Sequence, residues 1–346
     1  MFVDQPAEIM ALIRNGNVAE IGKGERKQLR YVPSRGEVVL GFAAIYLIWG
    51  STYLGIRYAV ETIPPFLMMG IRHFTAGVLV FAWARSRGAV QPTLKQWGWA
   101  GIAGVMLFLG GHGILAWAEE KVPSGLAALL CATLPLWTVL LARVDGTERK
   151  LGWKAWAGIL LGFGGVGLLI GPEALGQKLD LLAAGAVLSS ALLWAMGTSY
   201  TRSVQLPSSK TLSAAMQMIC GGVLLFAASL LNGEMGRVHI HDFTLRSTLS
   251  LVYLIVFGSI IAFTVYTWLV GVASPSMVST YAYVNPVTAV LLGWLVAGEA
   301  VGMRTVAATI VIVAGVVLVS GRRSSARELK APRQGSWREA QQFAAD

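Results

Sequence analysis

Few side chains in this sequence could do acid–base or ionic chemistry, and several of those lie in segments built almost wholly of apolar residues. Arg72 and His73 fall near the middle of one apolar run, and His112 falls in the outer half of another. A charged side chain at the centre of a bilayer costs about 3 kcal/mol on insertion scales, so such residues are functional candidates by default. His112 shares a helical face with Leu109, Ala116 and Glu119, at spacings of three and four. Histidine titrates near neutral pH and could pass protons along that face; the competing reading is a neutral imidazole hydrogen-bonded inside a bundle. For Arg72 the plainer expectation is a guanidinium tied to backbone carbonyls or a helix end, because it stays charged and makes several bonds at once. Glu148 and Glu299 each stand beside a helix start, where a carboxylate satisfies free amides, so capping is expected ahead of ion coupling. Glu61, Glu119 and Glu120 are expected to be solvated at one face unless they guard an entrance.

Other chemistries find no residues to carry them. Cys131 and Cys220 both fall in apolar segments without CxxC or Cys/His spacing, so they read as buried thiols, with no metal site or redox pair. Gly162, Gly164 and Gly167 match a dinucleotide-binding spacing, but no strand precedes them; with Gly158 they make a small-residue face for close helix packing. There is no HExxH zinc pair, GxSxG elbow or phosphate-binding loop, so the sequence reads as a non-enzyme without cofactor.

The elements that must hold these residues are membrane helices. Of 346 residues, 55% are hydrophobic and 13% charged, against about 25% charged in an average soluble domain. Ten segments are long enough to cross a bilayer core, which needs about 20 apolar residues. They run over 38–58, 64–84, 97–118, 123–143, 152–171, 179–201, 210–231, 247–270, 274–297 and 303–320. Residues 1–37 are polar and mixed in charge, which reads as a soluble tail rather than a secretory signal. The net charge of +10 does not imply nucleic acid, because the basic residues are spread over particular loops. Counting alternate loops places 21 of the 28 Lys and Arg on one side and 5 on the other, with Arg57 and Arg72 inside spans. That asymmetry puts both termini in the cytoplasm.

The second half repeats the first. Trp117 and Trp268, Pro135 and Pro286, Glu148 and Glu299, and Gly164 and Gly315 each stand 151 positions apart; Trp49 and Trp194, and Arg57 and Arg202, stand 145 apart. A repeat of five spans must enter the membrane from opposite sides in its two copies. Such inverted repeats form transporters with a midplane site and alternating access. The expected organisation is an N-terminal tail 1–37, repeats over 38–172 and 179–320, and a C-terminal tail 321–346.

The residues that carry the repeat also resemble the drug/metabolite transporter (DMT) superfamily, in its EamA-type branch. These are Trp49-Gly50-Ser51-Thr52-Tyr53, Pro64-Pro65 with Arg72, Trp117-Ala118-Glu119 and Val122-Pro123-Ser124-Gly125, then Gln217 before Gly221-Gly222, Gly258-Ser259, Asn285-Pro286 and Gly298-Glu299. The resemblance covers roughly 40–320 and departs at Arg143 to Lys150, where a polar stretch replaces a more apolar approach. It implies a plasma (inner) membrane exporter of a small metabolite, amino acid or drug-like solute, working beside lipid and with protons as a conceivable partner. A membrane-embedded enzyme or receptor is the alternative. Stripes at helical spacing, Tyr46-Trp49-Tyr53, Ser190-Trp194-Thr198, Ser259-Phe263-Tyr266 and Tyr281-Asn285-Thr288, would line a central cavity; simple helix packing is the other reading. The candidate substrate contacts are therefore Trp49, Tyr53, His112, Trp194, Ser259, Tyr266, Tyr281 and Asn285, with Pro135 and Pro286 as hinges. The cargo, the coupling ion and the oligomeric state have no signature in these residues.

Overall fold

A computed structural model describes residues 33–144, 146, 152–173, 180–273, 275–278 and 280–320. Among these residues the chain is all helix, and each apolar segment read from the sequence becomes a helix. These are α1 (Arg35–Ala59), α2 (Pro65–Ser86), α3 (Leu94–Glu119), α4 (Ser124–Val144), α5 (Trp153–Glu173), α6 (Leu181–Ser203), α7 (Lys210–Leu231), α8 (245–272), α9 (Tyr281–Ala297) and α10 (Met303–Ser320). Seven of them, α1–α4 and α6–α8, hold a stretch long and apolar enough to cross a membrane; Trp153–Leu169, Tyr281–Ala297 and Met303–Val319 are shorter apolar helices. Residue 148, the first-half partner of Glu299, residues 1–32 of the N-terminal tail and the C-terminal tail lie outside the described residues, and α1 begins at Arg35, inside the expected tail.

The starts are fixed by caps that the sequence spells out. Ser34 and Glu37 bond reciprocally at the head of α1, and Thr93 and Gln96 close the same box at the head of α3. Asp180, Ser209 and Thr244 accept the amides of Ala183, Leu212 and Ser247 at the heads of α6, α7 and α8. Proline supplies the first residue of α2, where its missing N–H is no loss. Interiors are less regular. A π-helical segment widens α3 over Val105–Gly113 and α8 over Leu254–Ile261, one in each half of the chain. α4 breaks after Cys131 and resumes at Leu134, so Pro135 falls in the first turn of the resumed helix, whereas Pro286 lies inside α9.

Helices meet where side chains are absent. A Cβ on Gly77 would stand 2.9 Å from the amide nitrogen of Ile219, and one on Gly222 2.7 Å from that of Phe74, so α2 and α7 touch backbone to backbone. Both pairs are related by a shift of 145 residues: Gly77 to Gly222, Phe74 to Ile219. α5 and α10 repeat the arrangement with a shift of 150. A Cβ on Gly165 would stand 3.0 Å from the nitrogen of Ile312, and one on Gly315 2.6 Å from that of Gly162. The small-residue face of α5 is therefore Gly158, Gly162 and Gly165. Gly164 and Gly167 point away with nothing near, which corrects the expectation that they join it, because only every third or fourth residue returns to one face.

Leu47, Leu79, Leu160, Leu231, Trp294 and Leu295 are more than half exposed or nearly so, an apolar exterior suited to lipid. Trp153 and Trp156 are exposed at the head of α5, as expected of interfacial anchors.

One end of the bundle is tied by polar contacts. Arg57, near the end of α1, donates to the carbonyls of Glu119 (2.8 Å) and Glu120 (3.0 Å) at the end of α3. Lys121 pairs with Asp180 at 3.1 Å, Arg246 with Glu61, and Glu234, past the end of α7, accepts the amides of Phe66 and Leu67 at the head of α2. Glu299, past the end of α9, caps α4, and Arg304 at the start of α10 donates to the carbonyl of Leu168 in α5 at 2.7 Å. Each contact joins an odd-numbered helix's end to another such end or to an even-numbered helix's start, which is what up-and-down alternation requires.

Candidate functional site

Two ring clusters sit among the helices. In the first, Trp49 of α1 lies 5.2 Å from the ring of Tyr266 (α8) and 5.1 Å from that of Tyr281 (α9), and the two tyrosines lie 5.9 Å apart, edge to face. Edge-on and tilted contacts suit the ring quadrupoles. The indole N–H of Trp49 donates to the carbonyl of Gly258 at 3.3 Å, inside the π-helical part of α8. Next to it, the Nε of Arg72 donates to Ser259 Oγ at 3.0 Å. His73 follows Arg72, stacks on His112 at 4.8 Å with 10° between planes, and its Nε2 is 2.9 Å from His112 Nδ1. His112 in turn lies 4.5 Å from Trp194 of α6, and Phe108 touches all three rings.

These contacts form one continuous belt: Tyr281, Tyr266, Trp49, Gly258, Ser259, Arg72, His73, His112, Trp194. It crosses six helices and runs from α9 to α6. Six of the residues expected to meet substrate, Trp49, His112, Trp194, Ser259, Tyr266 and Tyr281, are on it. Trp49 and Trp194 occupy opposite ends, in separate ring clusters. Tyr53 packs against the main apolar core and lies within hydrogen-bonding reach of Cys131. Asn285 is buried, its carbonyl backs onto Gly50, and its Oδ1 has no hydrogen-bond partner. Ser190, Thr198 and Thr288 spend their hydroxyls on carbonyls of their own helices.

His73 is the member that the sequence undervalued. It is 2% exposed, and its Nδ1 is without a partner. Its adjacency to Arg72 is visible in the sequence; its pairing with His112, 39 positions away on another helix, is set by the tertiary fold. Arg72 is 4% exposed and bonds Ser259 and the sulfur of Met69 (3.9 Å), rather than the carbonyls or helix end expected. It is thus part of the belt.

Glu119 overturns its expectation. It is fully enclosed, not solvated, and neither carboxyl oxygen has a hydrogen-bond partner. The backbone explains why: Arg57 draws the last turn of α3 onto α1, carrying the side chain inward. Glu120, one residue on, is exposed as expected, although partial desolvation and then the nearby Glu234 raise its carboxyl above the usual range. Glu299 caps a helix as expected, though it serves α4 from the far half of the chain: Oε1 accepts Ser124 N and Oγ at 2.7 Å each, and Oε2 accepts Gly125 N at 2.9 Å. Cys131 and Cys220 are free thiols, and no cluster of metal-ligating side chains occurs among the described residues.

The family model described as the EamA-like transporter family matches the chain twice, over residues 37–171 and 181–321. The chain is 39% identical over 281 residues to the uncharacterised inner membrane transporter YedA of Escherichia coli K12, covering 80% of this chain and 88% of that one. It is 25% identical over 288 residues to the uncharacterised transporter YoaV of Bacillus subtilis, covering 82% and 96%. A crystal structure of a protein 22% identical in sequence superposes with a TM-score of 0.57 over 86% of this chain and all of that one, which shows the shared fold. This membrane-embedded, all-helical chain belongs to the EamA-like transporter family.

Proposed function

We propose that this transporter is a ten-helix, inner-membrane exporter of a small metabolite, amino acid or drug-like solute, working by alternating access between two inverted halves. The observation that carries the reading is the belt, which joins α1, α2 and α3 to α6, α8 and α9 through aromatic rings and a few polar groups. Apolar surroundings with a few convergent polar atoms are where small molecules bind. The inverted repeat is supported by the reciprocal glycine contacts, because a constant shift that exchanges partner and glycine is what a twofold axis between α2 and α7 and between α5 and α10 produces. The paired π-helical segments support it too. Up-and-down alternation together with the distribution of Lys and Arg favours cytoplasmic termini, with the tied end outermost. Rings along the belt favour an apolar or aromatic solute.

The test is counterflow in proteoliposomes with a panel of amino acids and aromatic or cationic drugs. Accelerated exchange of an unchanged solute supports the reading. Chemical turnover of a solute without flux would sink it.

A further inference from the structure

Glu119 has no role in the belt and none as a cap, yet it is the most thoroughly buried acid of the described residues, with no accessible area and two oxygens without donors. An ionised carboxylate in that position, taken out of water and given neither hydrogen bond nor counter-ion, is among the most unfavourable states a side chain can adopt. The charged and titratable groups around it do not relieve it. From α1, Arg57 spends one guanidinium nitrogen on the backbone carbonyls of Glu119 and Glu120, and Tyr53 turns to Cys131 of α4. From α2, Arg72 is engaged by Ser259 and Met69, and Glu299, beyond α9, is held by three donors of α4. Among the described residues, no basic nitrogen lies within ion-pair distance of Glu119.

A proton resolves the difficulty where a metal ion would not. No group of three His, Cys, Asp or Glu gathers to ligate a cation among the described residues, and a site without accessible area has no room for an ion carrying water. The enclosure is also conditional. It depends on the ties at the same end of the bundle, chiefly Arg57 on the end of α3 and Lys121 on Asp180, and on the cap from Glu299. Separating these helix ends would expose the carboxyl to water.

We propose that Glu119 is the proton site of the transport cycle: it holds a proton on one carboxyl oxygen while this end of the bundle is closed, and releases it to water when the end opens. The O–H bond breaks as the helix ends part, its proton passing to water on that side, and forms again with a proton drawn from the opposite side once this end has closed, so each cycle carries one proton between the two sides. This rests on the transporter reading, and couples solute movement to the proton gradient.

Two measurements on the full-length protein in vesicles test it. Infrared spectra of the native protein should contain the carbonyl stretch of a protonated carboxyl without hydrogen bonds, lost in Glu119→Gln and shifted in Glu119→Asp. Absence of that band in the native protein overturns the proposal. In the second, an imposed pH gradient should drive accumulation of the panel solute that shows counterflow, by up to about tenfold per pH unit for one-for-one exchange. Glu119→Gln should lose this response while keeping native helix content and elution, and Glu119→Asp should restore part of it. A Glu119→Gln protein that follows the gradient like the native one refutes the coupling. If the carbonyl band is present and no panel solute moves, it is the transporter reading that fails, not the proton on Glu119.

Discussion

Replacing Glu299 by Gln tests the link between the two halves with almost no change of shape. The carboxylate makes three hydrogen bonds to the head of α4: Oε1 to Ser124 N and Oγ, and Oε2 to Gly125 N. Its approach is set by Gly298, which adopts a left-handed conformation (φ +67°) at the end of α9 and turns the chain back so that Glu299 N reaches the carbonyl of Gly293 at 3.0 Å. A glutamine oxygen can keep the two Ser124 bonds. Its NH2 group then faces the Gly125 amide, donor against donor, so one charge-assisted bond of about 1.5–3 kcal/mol is lost. Removing the charge from the positive end of α4 subtracts about 0.3–1 kcal/mol more. The expected destabilisation is about 2–4 kcal/mol, measured by denaturant or thermal unfolding of the purified protein in detergent. Ser124→Ala alone should cost about 1 kcal/mol, and the double variant should lose less than the sum, because the partners are shared. A Glu299→Gln protein within about 0.5 kcal/mol of native would refute the capping argument.

Gly315→Ala should destabilise by about 1–3 kcal/mol, since its Cβ would press on the backbone of Gly158 and Gly162, which cannot move aside as a side chain can; Gly164→Ala, facing open space, should be neutral, and equal unfolding midpoints for the two would contradict the packing. Trp49→Phe keeps a ring between Tyr266 and Tyr281 but removes the bond to Gly258, and should weaken apparent solute affinity in counterflow by about two- to tenfold, the worth of one ring contact. The Asp180 carboxyl is held below its usual value of 3.8, first by the Ala183 amide and then by Lys121. Its folded value being the lower one, the carboxylate's contribution is present above 3.8 and disappears as pH falls through the lowered value. The melting difference between native and Asp180→Asn protein should therefore shrink on acidification; a difference that grows would refute the sign.

Much of this fold was legible because lipid imposes a simple rule: backbone groups must bond within the helix, and side chains must be apolar for about 20 residues. Hence the apolar segments coincide with helices among the described residues, seven of them long and apolar enough to cross a membrane, and capping residues such as Asp180 and Thr244 mark starts. What failed was partner and depth. The regular 3.6-residue period places His112 on a face of α3 but does not say which helix meets that face; the tertiary fold brings it onto His73, 39 positions earlier. Glu119 was expected in water because it ends an apolar run beside Glu120 and Lys121. Whether such a residue points out or in depends on Arg57, 62 positions away, which no local pattern encodes. The same holds for Glu299: its capping role followed from charge and position, while its client, 175 residues earlier, followed from the tertiary fold.

Polar groups in this protein are divided by function as well as by depth. Those at the tied end hold helix ends together through groups that water could replace, such as the Lys121–Asp180 pair and the Arg57 bonds to carbonyls. Exposed ion pairs such as Lys121–Asp180 contribute little net stability, so they hold this end less firmly than close helix contact would. The belt is different, since its members are buried and its rings are fixed by neighbours on several helices. Helices α2 with α7, and α5 with α10, meet backbone to backbone at glycines and have no such freedom, because a shift of either would break close contact along a whole face. Opening should therefore proceed by rocking about these glycine contacts, separating α1 and α3 from α6 and α8 at the tied end. Cross-linking Lys121→Cys to Asp180→Cys, whose parent side chains pair at 3.1 Å between the end of α3 and the start of α6, should then arrest counterflow, with recovery on reduction. Unimpeded counterflow in the cross-linked protein would show that the gate lies elsewhere.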